Sequence, residues 1–128
     1  LITWKNELYD DLGLTGVQKD VNFGSKSQTS INILNANHQL AANLNGNVTV
    51  YSSARVVGWG APGANAINVA SVAGNVNQSA LFAYEEGSSL VNGTIAQDKR
   101  VGLFLDNTSA LTTNALNIFD AAVNWAVA

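Results

Sequence analysis

Leu1-Ile2-Thr3-Trp4-Lys5-Asn6-Glu7-Leu8-Tyr9-Asp10-Asp11-Leu12 is the stretch that decides how the chain is read. Leu1 to Trp4 reads as a buried strand. Lys5 to Leu12 follows at once as a short helical stretch, with Gly13 as its stop. A strand running straight into a helix is the building unit of an α/β domain. If this strand belongs to an open α/β sheet, its outer edge needs cover, because an uncovered strand is a template for pairing. The expected cover is another copy of the chain, a different partner, or a segment N-terminal to this one.

The far end of the chain fits the same reading. Arg100-Val101-Gly102-Leu103-Phe104-Leu105 is continuously apolar after its first residue, as a central strand buried on both faces is, and it stops at Asp106-Asn107. Thr112 or Thr113 can cap a helix that runs to about Val127. Leu116, Phe119, Val123 and Ala126 fall on one face of it, and Asn114, Asn117, Asp120 and Asn124 on another. That face is expected to lay Phe119 and Trp125 on the sheet. Further strands are expected at Ser30–Leu34, Val48–Tyr51, Arg55–Trp59, Ala66–Val72 and Ser79–Tyr84. Turns separate them at Asn45-Gly46-Asn47, Gly60-Ala61-Pro62-Gly63 and Gly74-Asn75-Val76-Asn77. Leu40, Ala41 and Leu44 suit one helical turn docked on the core, and Thr15 to Ser30 reads as a long polar loop. The expected fold class is α/β. It is a single domain over residues 1–128 with a mostly parallel open sheet, room for some antiparallel strands, and the C-terminal amphipathic helix packed on the sheet.

Composition narrows the function. At 128 residues the chain makes one domain with a core. Charged residues are 12%, about half the usual share, and Asn, Ser, Thr and Gly take their place. Six scattered Lys and Arg and a net charge of -3 argue against nucleic acid, which needs a basic stripe. No apolar run approaches the roughly 20 residues of a membrane span. Cys is absent, which excludes disulfides, zinc–thiolate sites and a Cys nucleophile. Four N-x-[ST] sequons make Asn47, Asn77, Asn92 and Asn107 glycosylation candidates, although a chain this rich in Asn, Ser and Thr also produces sequons by chance. Low charge, a polar uncharged surface and the lack of Met fit an exported, processed protein, extracellular or at the cell surface.

A family resemblance runs along much of the chain. It is carried by Ala83-Tyr84-Glu85-Glu86-Gly87, by Lys99 to Leu105, and by Leu116 to Ala126 (LNIFDAAVNWA). Together these resemble secreted bacterial domains distantly related to the ThuA-like and class I glutamine-amidotransferase-like proteins. Ile2 to Gly13 and Asn37 to Gly46 look similar too, with His38-Gln39 and Asn43 standing where the family has His-Pro and Gly. Only the region of Thr15 to Ser30 falls outside. The resemblance implies a flavodoxin-like open sheet, of which this chain is the later part, since the family's first strands precede the matched segment.

No catalytic apparatus comes with it. The amidotransferase thiol has no counterpart here. There is no G-x-S-x-G, and His38, the one His, suits a structural role better than that of a general base. Gly58-Trp59-Gly60-Ala61-Pro62-Gly63 lacks the Lys-Ser/Thr of a phosphate loop. Carboxylates remain: Glu7 with Asp10 and Asp11, Glu85 with Glu86, and Asp106, each group after a strand. In a parallel sheet these ends would converge where ligands bind. The ligand or metal candidates are therefore Glu7, Asp11, His38, Glu85 and Asp106. They would hold Ca²⁺, or act as an acid/base pair on a glycoside; the plainer roles are helix-dipole pairing, a solvated turn and loop shaping. No other cofactor is expected. Tyr51 and Trp59 could stack on a sugar but suit the core, while Trp4 and Trp125 suit core or interface.

Two functions follow. The first is a non-enzymatic exported structural or assembly module that pairs with other chains, as a subunit of an extracellular fibre or surface layer. The second is a carbohydrate-related binding or hydrolase-like domain that uses the strand-end carboxylates, with glycans as partners.

Overall fold

The computed structural model describes residues 1–128. Eight strands form one sheet: β1 Ile2–Thr3, β2 Phe23–Gln28, β3 Ser30–Ile33, β4 Gly46–Thr49, β5 Arg55–Gly60, β6 Ile67–Val72, β7 Asn75–Tyr84 and β8 Arg100–Leu103. Short 3₁₀ turns lie at Asn6–Leu8 and Gln39–Ala41, and one α-helix, α1, spans Thr113–Val127. The strand order is β1-β8-β7-β6-β3-β4, with β2 paired to β5 and β5 joined to β7 through Gly60 and Ser79.

The sheet is mostly antiparallel, which corrects the parallel expectation. Only β1 and β8 run parallel, Ile2 opposite Val101 and Thr3 opposite Gly102. The cause lies in the connections. A parallel pair needs a crossover of a dozen or more residues, usually a helix, whereas a tight turn returns the chain antiparallel. Between β6 and β7 stand only Ala73 and Gly74, the latter at φ +86°. Between β2 and β3 stands only Thr29, where the chain passes from pairing with β5 to pairing with β4 and β6. The mixed α/β character and the packed C-terminal helix hold. The flavodoxin-like arrangement does not emerge from this topology.

Two apolar clusters explain the continuous strands. Leu81, Ala83, Val101 and Leu103 join the main core, which α1 covers. Phe82 and Tyr84 point the other way, into a second cluster with Tyr9, Leu14, Phe23, Leu90 and Ala96. Successive side chains of a strand point to opposite faces, so β7 must be apolar at every position over this stretch. Gly102 lies directly over the Phe82 ring, and a Cβ there would overlap it.

Other expectations need adjustment. Lys5 to Leu12 is not a helix; after the 3₁₀ turn it continues as turns. The supposed loop from Thr15 to Ser30 contains β2, which pairs with β5 from Phe23–Gly60 to Gln28–Arg55. Thr112 caps α1 as expected, its Oγ1 accepting from the Ala115 N–H at 3.3 Å. The buried face is Ala115, Ile118, Ala122 and Trp125, however, and Leu116 and Val123 are exposed while Phe119 is half-buried. The two alanines let the helix lie close to the sheet, which turns the bulkier stripe sideways.

Candidate functional site: the free edge of β1

An open sheet must manage its edges, because unpaired N–H and C=O groups invite another strand. The chain leading into α1 holds the C-terminal end of β4. Thr112 N–H donates to the Val50 carbonyl at 3.1 Å, and the Thr112 hydroxyl donates to the Thr49 carbonyl at 2.8 Å. The outer side of β2 is polar and carries Lys26, and the Gln28 amide reaches across to the N–H and C=O of Ala73, both at 3.1 Å. The outer side of β1 has no backbone partner within the chain.

Apolar side chains surround that edge instead. Leu1, Trp4, Leu8 and Leu116 are each 45–50% exposed. Trp4 stands between two hollows. One, of about 340 Å³, is formed with Leu105, Leu111, Leu116 and Phe119 on the α1 side. The other, of about 380 Å³, is formed with Leu1, Ile2, Leu8 and Leu12 on the side of the first 3₁₀ turn. The displaced stripe of α1 thus becomes one wall of a groove along β1. The sequence places Trp4 in a buried strand; in the structure it is a half-exposed ridge beside β1. The available signal was α1 itself, whose apolar residues span more of the helix than one contact can bury.

The candidate polar residues split between the two ends of the sheet. Because β1 and β8 are parallel, the segments after them meet: Lys5 Nζ lies 3.5 Å from Asp106 Oδ1. This is an ion pair without an aligned hydrogen bond, as Asp106 Oδ1 is buried and otherwise unpartnered. The Tyr9 hydroxyl nearby donates to the Leu103 carbonyl at 3.3 Å. Burial, then the charges of Asp106 and Glu7, push its pKa well above the usual phenol value. Glu7 is on the same side, exposed, and Asp11 is exposed on the turn that follows.

Glu85 follows β7, which runs antiparallel to β8, so it lies at the opposite end, close to His38. There His38 Nδ1 accepts from the Leu40 N–H at 3.0 Å, and its ring lies 5.5 Å from that of Trp125. Lys99 Nζ sits 4.8 Å from the Trp125 ring centre and donates to the Trp125 carbonyl at 3.1 Å, at the C-terminal end of α1. Burial lowers the His38 pKa, Glu85 raises it in part, and Lys99 lowers it. The convergence of carboxylates that a parallel sheet would give is therefore not formed, and no three His, Asp or Glu side chains group as metal ligands.

The remaining candidates are scattered. Asn47 on β4 and Asn77 on β7 are exposed. Asn92 Oδ1 accepts from the Thr94 hydroxyl at 2.6 Å, and Asn107 Oδ1 from the Ser109 hydroxyl at 2.6 Å. Tyr51 and Trp59 are buried in the main core, where neither offers a face to a sugar.

No protein-family model, characterised protein or solved structure matches this chain. The ThuA-like resemblance therefore rests on the quoted residues alone. No helix is long and apolar enough to cross a membrane.

Proposed function

We propose that this chain is a non-enzymatic, exported assembly module that pairs with other chains through the edge of β1, as a subunit of an extracellular fibre or surface layer. One observation carries the reading: β1 ends the strand order of the sheet, and exposed apolar side chains flank its outer side. Unpaired backbone groups between apolar walls suit an extended polypeptide, which satisfies the ladder and fills the hollows together. Fully burying a large apolar side chain stabilises by roughly 1.5–3 kcal/mol, so covering the exposed halves of Trp4, Leu8 and Leu116 contributes about 1 kcal/mol each.

The test is particle mass for wild type and Trp4→Glu. Wild type is expected in species well above 13.4 kDa, with Trp4→Glu at 13.4 kDa. Wild type at 13.4 kDa over the whole concentration range would sink the reading.

A second reading, carbohydrate binding, draws on a different place. A hollow of about 410 Å³ between the second 3₁₀ turn and α1 is lined by Gln39, Asn43, Asn117, Asp120 and Asn124. Amide-rich walls suit neutral hydroxylated ligands, and the size lies within the ~300–1,000 Å³ of ligand sites. Glycans that raise the melting temperature in wild type but not in Asn117→Ala would support it. No response to any glycan tested would remove it.

A further inference from the structure

We infer that Asn45 is a site of spontaneous covalent modification, at which the Gly46 backbone nitrogen closes on the Asn45 side chain, ammonia leaves, and an aspartyl or isoaspartyl residue remains. This goes beyond the pairing function and does not rest on it. The chain has two Asn-Gly pairs, Asn45-Gly46 and Asn92-Gly93, and only glycine leaves the attacking amide nitrogen unshielded by a Cβ. Both asparagines are exposed, and both glycines stand at positive φ, +64° and +85°. By residue type the two pairs are equal. The fold separates them.

Asn92 is held in place. Its Oδ1 accepts from the Thr94 N–H at 3.1 Å and from the Thr94 hydroxyl at 2.6 Å, and its amide packs against Gly13. The Gly93 N–H donates to the Leu90 carbonyl at 3.1 Å. On either side of this turn, the Leu90 N–H donates to the Thr94 carbonyl at 2.8 Å and the Val91 N–H to the Gly13 carbonyl at 2.9 Å. Bringing the Asn92 Cγ onto the Gly93 nitrogen breaks several of these bonds together. The Asn45 side chain is exposed and has no hydrogen-bond partner in the chain, so it turns freely among its rotamers. Nothing lies within 4 Å of where a Gly46 Cβ would stand. Gly46 faces Ile33 in the last rung of the β3–β4 ladder. Strand ends open more readily than the body of a sheet, so opening one rung frees the attacking nitrogen.

In the reaction the Gly46 nitrogen gives its proton to solvent hydroxide and bonds to Asn45 Cγ. The Cγ–Nδ2 bond breaks, and Nδ2 takes a proton from water and leaves as ammonia. Water then opens the cyclic imide at either carbonyl. One opening gives Asp. The other gives isoaspartate, whose main chain runs through Cγ and is longer by a methylene. Either product adds one negative charge to the formal -3.

Trypsin puts the two pairs on separate peptides, because Lys26, Arg55 and Lys99 bracket them. The test holds the purified full chain in mildly alkaline buffer made with heavy-oxygen water, either folded or in guanidinium chloride, and sequences the peptides by mass spectrometry. In the folded chain Asn45 is expected to take up solvent oxygen as two products of one mass, aspartyl and isoaspartyl, while Asn92 stays unchanged. In guanidinium chloride both should convert at similar rates. Asn45→Gln, whose longer side chain disfavours the ring, should lose the conversion in the folded chain. An Asn45 that stays unchanged in the folded chain overturns the inference, and so does an Asn92 that converts there as fast. An aspartyl product with no isoaspartyl isomer overturns the attack by Gly46.

Discussion

His38 holds the second 3₁₀ turn by accepting the Leu40 N–H at Nδ1, which requires that nitrogen to be unprotonated. Protonation would remove the acceptor and place a cation near Lys99; Glu85 offsets this only in part. The folded pKa lies below the ordinary His value, so over the interval between the two the unfolded chain binds more protons. The stability contributed by neutral His38 is therefore fully present above the ordinary value and is lost as pH falls through the folded pKa. His38→Asn keeps a cap acceptor that does not titrate. Urea midpoints followed from about pH 7.5 to 5 should fall for wild type and fall less for His38→Asn, this being the range in which an ordinary His titrates. Parallel curves would show that His38 does not couple to folding. Gly102 gives a second residue-scale prediction. A Cβ there overlaps the Phe82 ring, so Gly102→Ala should cost about 1–3 kcal/mol in urea unfolding. A loss of stability no larger than for a typical surface change would mean the ring can move aside.

Among the elements, α1 closes the main core, and its cap also holds the end of β4. Thr112 links them: its Oγ1 accepts from Ala115 N–H and its hydroxyl donates to the Thr49 carbonyl. Thr112→Ala should cost more than the roughly 1 kcal/mol of a lost cap. It should also raise hydrogen exchange at β4, and Thr112→Ser should restore both. Unchanged exchange at β4 would separate the cap from the hold on β4. The helix, its cap and most strands were legible in the sequence because period and cap chemistry are local. Strand direction was not, since half-buried strands alternate alike in parallel and antiparallel pairs. β2 stayed hidden because Gly24-Ser25-Lys26-Ser27-Gln28 has no apolar face; β5 supplies its reason to be a strand. The edge itself was anticipated from Leu1 to Trp4, but its groove required the rotation of α1 that exposes Leu116. The carboxylate cluster failed with strand direction, which sends Glu85 and Asp106 to opposite ends.

For the whole molecule, low charge decides how association responds to conditions. With 12% charged residues and exposed apolar side chains around Trp4, the proposed pairing draws on surface removed from water rather than on ion pairs. Exposed charges are screened over about 10 Å at 0.1 M salt and 3 Å at 1 M. Moving between those conditions with sodium chloride should leave the fraction of paired chains nearly unchanged. Sodium sulfate should raise it, and cooling should lower it, since apolar burial weakens in the cold. Sedimentation of wild type over this grid, with Trp4→Glu as the unpaired reference, reads all three. Dissociation by sodium chloride would instead place the contact on charged groups such as Lys5, Glu7 and Asp106. The partner would then be held by the carboxyl end of the β1–β8 pair and not by the groove beside it.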